Sequence, residues 1–348
     1  MALFGLGGSK TTVGLDIGSG LLKLVAIEHG KGEPVLSGVS VTPVLADAIV
    51  EGEIMDPGIV SDTIQGLFKT AGIKQKKVVV AVGGRDVIIK KIQVDRMKES
   101  EAYEVVRWEA QQHVPFDIEA VELDFQILDP EGEGLQMDVL LVAAKRDLVE
   151  DKIHLLAQAG LEAEIVDVDA FALHNAFEVN HPEAMEGITA LLNIGHELTN
   201  VNVLDNGIPL LTRDLTIGTR KIREDLQRER GLSAEDADGL LKGFQRTPDL
   251  DPYVEARGEE IAVGVERASA FLQSASREAG SIKRIYCCGG GARVPGLTDV
   301  LAQRLKMPVQ VANPIQRLGV KEGVFETVQV DEVAPLLMLA TGLALRAA

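Results

Sequence analysis

Two stretches of the chain share one pattern of apolar and polar positions. Residues 14–27 (GLDIGSGLLKLVAI) and 191–204 (LLNIGHELTNVNVL) superpose at a constant offset of 177, so that Asp16 falls on Asn193 and Gly18 on Gly195. Each copy is a run of leucines and β-branched residues, a polar residue, a glycine, a few turn formers and a second, alternating run. That pattern predicts a β-hairpin with a glycine-containing loop. A turn follows each copy, at Gly30-Lys-Gly-Glu-Pro34 and Asp205-Asn-Gly-Ile-Pro209. Because the offset is close to half of the 348 residues, the pattern predicts two similar α/β halves facing each other across a cleft, with their loops opposed.

Between the repeats, residues 78–94 alternate as strand, turn at Gly83-Gly84, strand. Residues 100–113 have helical spacing with Ser100 as the cap, 121–128 and 137–144 read as strands, and 147–159 as a helix closed by Gly160. These elements predict a compact unit over 78–164. Beyond the second hairpin, 218–226 and 233–242 read as helices, the latter capped by Ser233 with Glu235 and Asp236 in its first turn. Residues 245–251 form a polar loop and 259–278 a long amphipathic helix. Residues 283–305 read as a buried strand, a glycine turn at Gly289, Gly290 and Gly291, and a helix beginning near Pro295.

The chemistry such loops offer is phosphate binding. Glycine lets backbone N–H groups converge on an anion with no Cβ in the way, and Ser19 or Thr199 can add a hydroxyl donor. An acidic residue at the start of a loop, Asp16 in the first, suits a hydrated Mg²⁺ that offsets polyphosphate charge. A strand feeding a helix through bare backbone, as at Gly289–Gly291, is where a nucleoside can lie flat.

Composition narrows the partners. A formal net charge of −18 repels nucleic acid, and aromatics at 4% leave little for base-stacking platforms. The longest apolar stretch, 334–345, is interrupted by Pro335, Thr341 and Gly342 and falls short of the roughly 20 residues a spanning helix needs. The opening MALFGLGG lacks the features of an export signal, so a cytoplasmic location is expected. Adjacent Cys287 and Cys288 make neither a disulfide framework nor a zinc site and read as core residues. His113, His174 and His196 have no ligand spacing, and Glu164, Asp167 and Asp169 alternate at strand spacing without forming a dyad.

Residues 16–20 (DIGSG), 193–199 (NIGHELT), 289–297 (GGGARVPGL) and 340–346 (ATGLALR) resemble, in order, the phosphate-1, phosphate-2, adenosine and second connecting motifs of the actin-like ATPase superfamily. Within it, 108–128 (WEAQQHVPFDIEAVELDFQIL), 142–145 (VAAK), 232–242 (LSAEDADGLLK) and 311–315 (VANPI) resemble the PilM family of type IV pilus assembly proteins, relatives of FtsA.

The resemblance implies duplicated actin-like, ribonuclease H-like halves around a nucleotide cleft, with a small α/β subdomain inserted in the first. On this sequence it implies a first half over 10–187 plus 331–348, containing an FtsA-type insertion at 78–164, and a second half over 188–330 whose smaller subdomain is 219–283. It further implies ATP with Mg²⁺ as the ligand, Lys23 approaching the β- and γ-phosphates, Gly20 and Gly195 in the phosphate loops, Lys221 and Glu224 contacting the nucleoside, and Asp169 capping the interdomain helix. Most of the superfamily carries aspartate where this chain has Asn193, the candidate catalytic position. The missing charge predicts ATP binding with very slow turnover. The implied partner is the cytoplasmic N-terminal tail of the inner-membrane protein PilN, with other inner-membrane pilus proteins, and membrane attachment only through partners. The strand 87–94, with 123–128 beside it, is the expected peptide surface. The same loops serve sugar or acetate-type kinases and FtsA-like polymers. A kinase needs an acceptor base, for which only Asp169 offers itself, and an FtsA-like protein ends in a basic amphipathic helix unlike Leu345-Arg-Ala-Ala348.

Overall fold

The computed structural model describes residues 10–243, 246–275, 280–326 and 329–346. Its two hairpins sit at the centres of two sheets with one strand order. In the first sheet Lys10–Ile17 pairs antiparallel with Leu21–His29, which pairs antiparallel with Val35–Pro43. On its other side Lys10–Ile17 takes Lys77–Val82 in parallel, and that strand takes Glu162–Val168. In the second sheet Ile188–Ile194, Thr199–Asp205 and Ile208–Leu215 make the same meander, while Arg284–Cys288 and then Val309–Val311 add in parallel. Numbered within its own half, each sheet contains the order 3-2-1-4-5, the first extended past its third strand by the short strand Gly319–Val320, so the repeat seen over one hairpin extends to five strands.

Parallel strands need cover on both faces. One face of the first sheet is covered by the helices Pro57–Ala71 and Arg146–Gln158, which bring Val60, Ile64, Leu67, Leu155 and Leu156 onto Val13, Leu15, Leu22 and Leu24. Pro57–Ala71 has clear sequence signals at both ends: Asp56 caps it by accepting from the Ile59 N–H at 3.0 Å, Pro57 occupies the first turn, and Gly72 ends it at φ 66°. The other face is covered by Asp169–Asn180 and Met338–Leu345, which join the two halves: Ala172, Leu173, Phe177, Met338 and Leu343 share one core with Val79 of the first sheet and Leu191, Tyr286 and Cys288 of the second. The second half is closed from outside by Thr219–Arg230, Ala234–Leu241 and Asp251–Ala275. Cys287 and Cys288 are buried and free, and burial pushes the Cys287 thiol up to about 12.

A separate three-stranded antiparallel sheet places Gln136–Lys145 between Val87–Asp95 and Val121–Ile127. The helix Glu99–His113 buries Ala102, Val106 and Ala110 in the core beneath it. The inserted unit is therefore 87–145, narrower than the expected 78–164. Lys77–Val82 completes the first main sheet because Val78, Val79 and Val80 are apolar on both faces and fully buried on both, and Arg146–Gln158 is that sheet's covering helix. The chain also returns to the first half earlier than residue 331. Gly319–Val320 pairs in parallel with Val35–Leu36, and Ile315 and Leu318 pack with Val25 and Ile27.

Two local expectations differ. Ser100 is no cap, since the helix starts from Lys98 with no side-chain hydrogen bond, and the long helix of the second half begins at Asp251, upstream of 259. Ser233 does cap its helix, accepting from the Asp236 N–H at 3.0 Å. Gln245 and positions 276–278 of the expected loop and helix lie outside the described residues.

Candidate functional site

A cleft of about 490 Å³ lies between the halves, within the range of small-molecule sites. The first half contributes Asp16, Gly18, Ser19, Gly20 and Lys23, and the second contributes Asn193, Gly195, His196, Gly289 and Gly290. The two hairpin loops close alike. The Gly18 N–H donates to the Leu21 carbonyl at 3.3 Å, and the Gly195 N–H to the Leu198 carbonyl at 2.8 Å, positions related by the same offset of 177.

The polar pair behind each loop is also repeated, with one change. Asp16 stands opposite Lys23 across its hairpin, and the Lys23 ammonium donates to the Asp16 carboxylate at 2.8 Å. Asn193 stands opposite Asn200 and donates to its Oδ1 at 3.1 Å. An ion pair in the first copy is thus an amide pair in the second. Asn200 donates onward to Asp214 at 2.6 Å, and burial holds the Asp214 carboxyl above the usual carboxylate range.

The loops touch. A Cβ on Gly20 would lie 2.9 Å from the His196 Cβ, so the bare backbone there lets the halves approach. The three glycines after Arg284–Cys288 serve three purposes. Gly289 has φ 80°, and a Cβ there would lie 2.5 Å from the Asn193 Oδ1. Gly290 has nothing within 4 Å of its Cβ position and faces the cleft. Gly291 is buried against the Ile194 side chain, away from the cleft lining.

Other expected site residues lie elsewhere. Thr199 is buried and its hydroxyl donates to the Ile217 carbonyl at 2.7 Å, so it stabilises the strand end and faces no ligand. Lys221 and Glu224 are both exposed and outside the cleft lining, and Glu224 accepts from Arg220 at 2.7 Å. On Thr219–Arg230 the cleft-lining positions are Thr219, Arg220 and Arg223. Arg220 also donates to Glu197 at 2.7 Å and reaches across to Asp47 of the first half at 3.0 Å, while Glu197 accepts from the Glu51 N–H at 2.6 Å. These contacts bind the two halves at the cleft mouth.

Asp169 is not a cap. It is the first residue of its helix, makes no capping hydrogen bond, and lines the cleft beside Gly83. Burial, and after it the Asp16 charge, push its carboxyl up to about 7. Lys152, of the covering helix Arg146–Gln158, also reaches the cleft. Nothing in the sequence marks it out, because a lysine at one position of an amphipathic helix reads as a solvated one. Among the described residues no group of three or more His, Cys, Asp or Glu side chains is placed to hold a metal ion; the cleft offers Asp16, with Asp169 near enough to feel its charge.

Two sheets sharing one five-strand order, closing matched glycine loops on a shared cleft, define an actin-like protein. The chain belongs to the family described as type IV pilus assembly protein PilM, whose model matches residues 14–348. The solved PilM-PilN type IV pilus biogenesis complex is similar to it with a TM-score of 0.84 at 30% identity, over 96% of this chain and 98% of that one. The cell division protein FtsA of Bacillus subtilis (strain 168) is 23% identical over 371 residues, covering 90% of this chain and 81% of that protein. MreB 5 of Spiroplasma citri, solved bound to AMPPNP, shares the fold with a TM-score of 0.50 at 12% identity, over 96% and 94% of the two chains. Among the described residues no helix is long and apolar enough to cross a membrane.

Proposed function

We propose that this chain is an ATP-binding scaffold of type IV pilus assembly that binds the cytoplasmic N-terminal tail of PilN, and through it and other inner-membrane pilus proteins is held at the inner-membrane face from the cytoplasm. The observation that carries the nucleotide half of the reading is the pair of loops in one register, facing a bare glycine backbone across the cleft. Those residues fit the ligand. Gly290 offers a surface without a side chain for the nucleoside, the loops at Gly18–Gly20 and Gly195 suit phosphates, and Asp16, steadied by Lys23, suits the waters of one Mg²⁺. Bound ATP would supply a polyphosphate shared by both halves, so its presence would bias how closely they approach. Asn193 is neutral and already donates to Asn200, and Glu197, the carboxylate of the same hairpin's loop, is engaged by Arg220 and the Glu51 N–H, so the Asn193 position offers no carboxylate to orient an attacking water. Slow turnover follows, because phosphoryl transfer depends on positioning and electrostatics.

Calorimetry with Mg·ATP tests the reading. The wild-type chain should bind, and Gly290→Val, whose side chain projects into open cleft space, should bind at least about tenfold more weakly, a loss of some 1.4 kcal/mol, with its melting temperature little changed. No heat with the wild-type chain, together with no nucleotide surviving purification, sinks the assignment.

For the peptide, the inserted unit presents Val87–Asp95 and Val121–Ile127 as the two outer strands of its sheet, with Gln136–Lys145 between them. The expected surface of two neighbouring strands is thus two separate edges. Edge pairing of an extended peptide suits Val87–Asp95, which carries exposed Lys90 and Lys91 beside Ile88 and Ile89. Excision of 87–145 is geometrically clean, since the Lys145 N–H donates to the Asp86 carbonyl at 3.1 Å and the cut ends adjoin. The shortened chain, closed by a glycine linker, should keep Mg·ATP binding and lose the PilN tail. Retained peptide affinity would place the groove elsewhere.

A further inference from the structure

The helix Arg146–Gln158 buries Leu155, Leu156 and one charged residue, Lys152, which is 7% exposed. Among the described residues its ammonium has no hydrogen-bond or ion-pair partner. The opposite charges nearest to it, Asp169 and Asp16, act on it only through space, and Asp16 is already engaged by Lys23 at 2.8 Å. A cation withdrawn from water without a partner lowers the stability of the fold, and burial holds its titration below the ordinary lysine range. The side chain nevertheless opens onto the cleft. Asp16 and Asp169 are the acidic groups that act on it, and the bare Gly290 backbone of the second half lines the same cleft. An unpaired ammonium in a cleft that also holds the glycine loops and a bare surface for a nucleoside is arranged for an anionic group of the ligand.

Resting on the nucleotide reading above, we propose that Lys152 binds the terminal phosphate of a nucleoside triphosphate and is the residue by which this cleft distinguishes triphosphate from diphosphate. Lys23, already tied to Asp16, serves both. Lys152 gains its partner only when the third phosphate arrives, so the free energy of relieving a buried unpaired charge is available to ATP and withheld from ADP.

The test uses the full chain as wild type, Lys152→Met and Lys152→Arg, with calorimetric titration of Mg·ATP and Mg·ADP and thermal unfolding without nucleotide. Lys152→Met should weaken ATP at least tenfold, leave ADP within about twofold, and raise the nucleotide-free melting temperature because the unpaired charge is gone. Lys152→Arg, which keeps the charge, should retain part of the preference for ATP. Equal losses for ATP and ADP, or an unchanged ATP affinity, overturn the assignment while leaving the cleft a nucleotide site. A fall in nucleotide-free stability in Lys152→Met makes Lys152 a structural counter-charge to Asp16 and Asp169 and overturns it too. A wild-type chain that binds neither nucleotide removes the cleft reading itself.

Discussion

Replacing Gly342 by alanine is expected to destabilise the protein by about 3 kcal/mol or more, a large part of the roughly 5–15 kcal/mol by which a folded chain exceeds its unfolded state. The added Cβ would collide with the Ala172 carbonyl, a backbone atom in the neighbouring helix Asp169–Asn180 that has no rotamer in which to move aside. The two helices Asp169–Asn180 and Met338–Leu345 lie side by side between the sheets, so separating them also opens the core around Phe177 and Leu343 that joins the halves. Gly14 allows the same approach from the sheet, since a Cβ there would lie 2.6 Å from the Ala344 N. Gly66 provides the opposite control. It sits mid-helix in Pro57–Ala71 with nothing within 4 Å of its Cβ position, so Gly66→Ala should stabilise by about 0.5–1 kcal/mol. Urea unfolding of the two variants beside the wild type gives midpoints shifted in opposite directions, and a Gly342→Ala midpoint equal to the wild type's contradicts the packing argument.

The second large effect concerns the cleft carboxyl. Asp169 is pushed up to about 7 from the usual 3.8 of an aspartate, by burial first and by the Asp16 charge next, with Lys152 opposing. For an acid whose folded pKa exceeds its unfolded one, the folded state holds the proton more tightly between the two values. Stability therefore falls as pH rises from about 4 to 7 and stays lower above that. The full shift corresponds to about 4 kcal/mol, an upper figure because the side chain borders the open cleft. In nucleotide-free protein with a chelator present, Asp169→Asn should match the wild type near pH 4 and exceed it by about 2–4 kcal/mol at pH 8. Denaturant titrations across that range decide it, and parallel pH profiles for the two proteins would refute the raised pKa.

Several features were legible because they depend on neighbours in the chain. The hairpins at 14–27 and 191–204 show as alternation interrupted by glycine. Their shared register follows once Asp16 and Asn193 align, since Lys23 and Asn200 then fall on the same offset. Ala234–Leu241 carries its own start signal in Ser233. Helix phase was harder to place: from one end of Thr219–Arg230, a shift of one residue turns the side chains by about 100°, which puts Arg220 and Arg223 in the cleft and leaves Lys221 outside.

What the sequence by itself determined was the duplication, the two glycine loops and the neutral Asn193, all set by residues a few positions apart whose conformational limits are local. Only the tertiary structure decided the rest. The valines at 78–80 are apolar on both sides, and which sheet they complete depends on Lys10–Ile17 and Glu162–Val168 arriving from distant parts of the chain. Thr199 resembles a loop hydroxyl until the Ile217 carbonyl accepts from it. Lys152 resembles any helical lysine until the fold buries it beside a cleft built by residues far along the chain. Hydrogen bonds and burial depend on what comes within a few ångströms in space, and for these residues those neighbours are not neighbours in sequence.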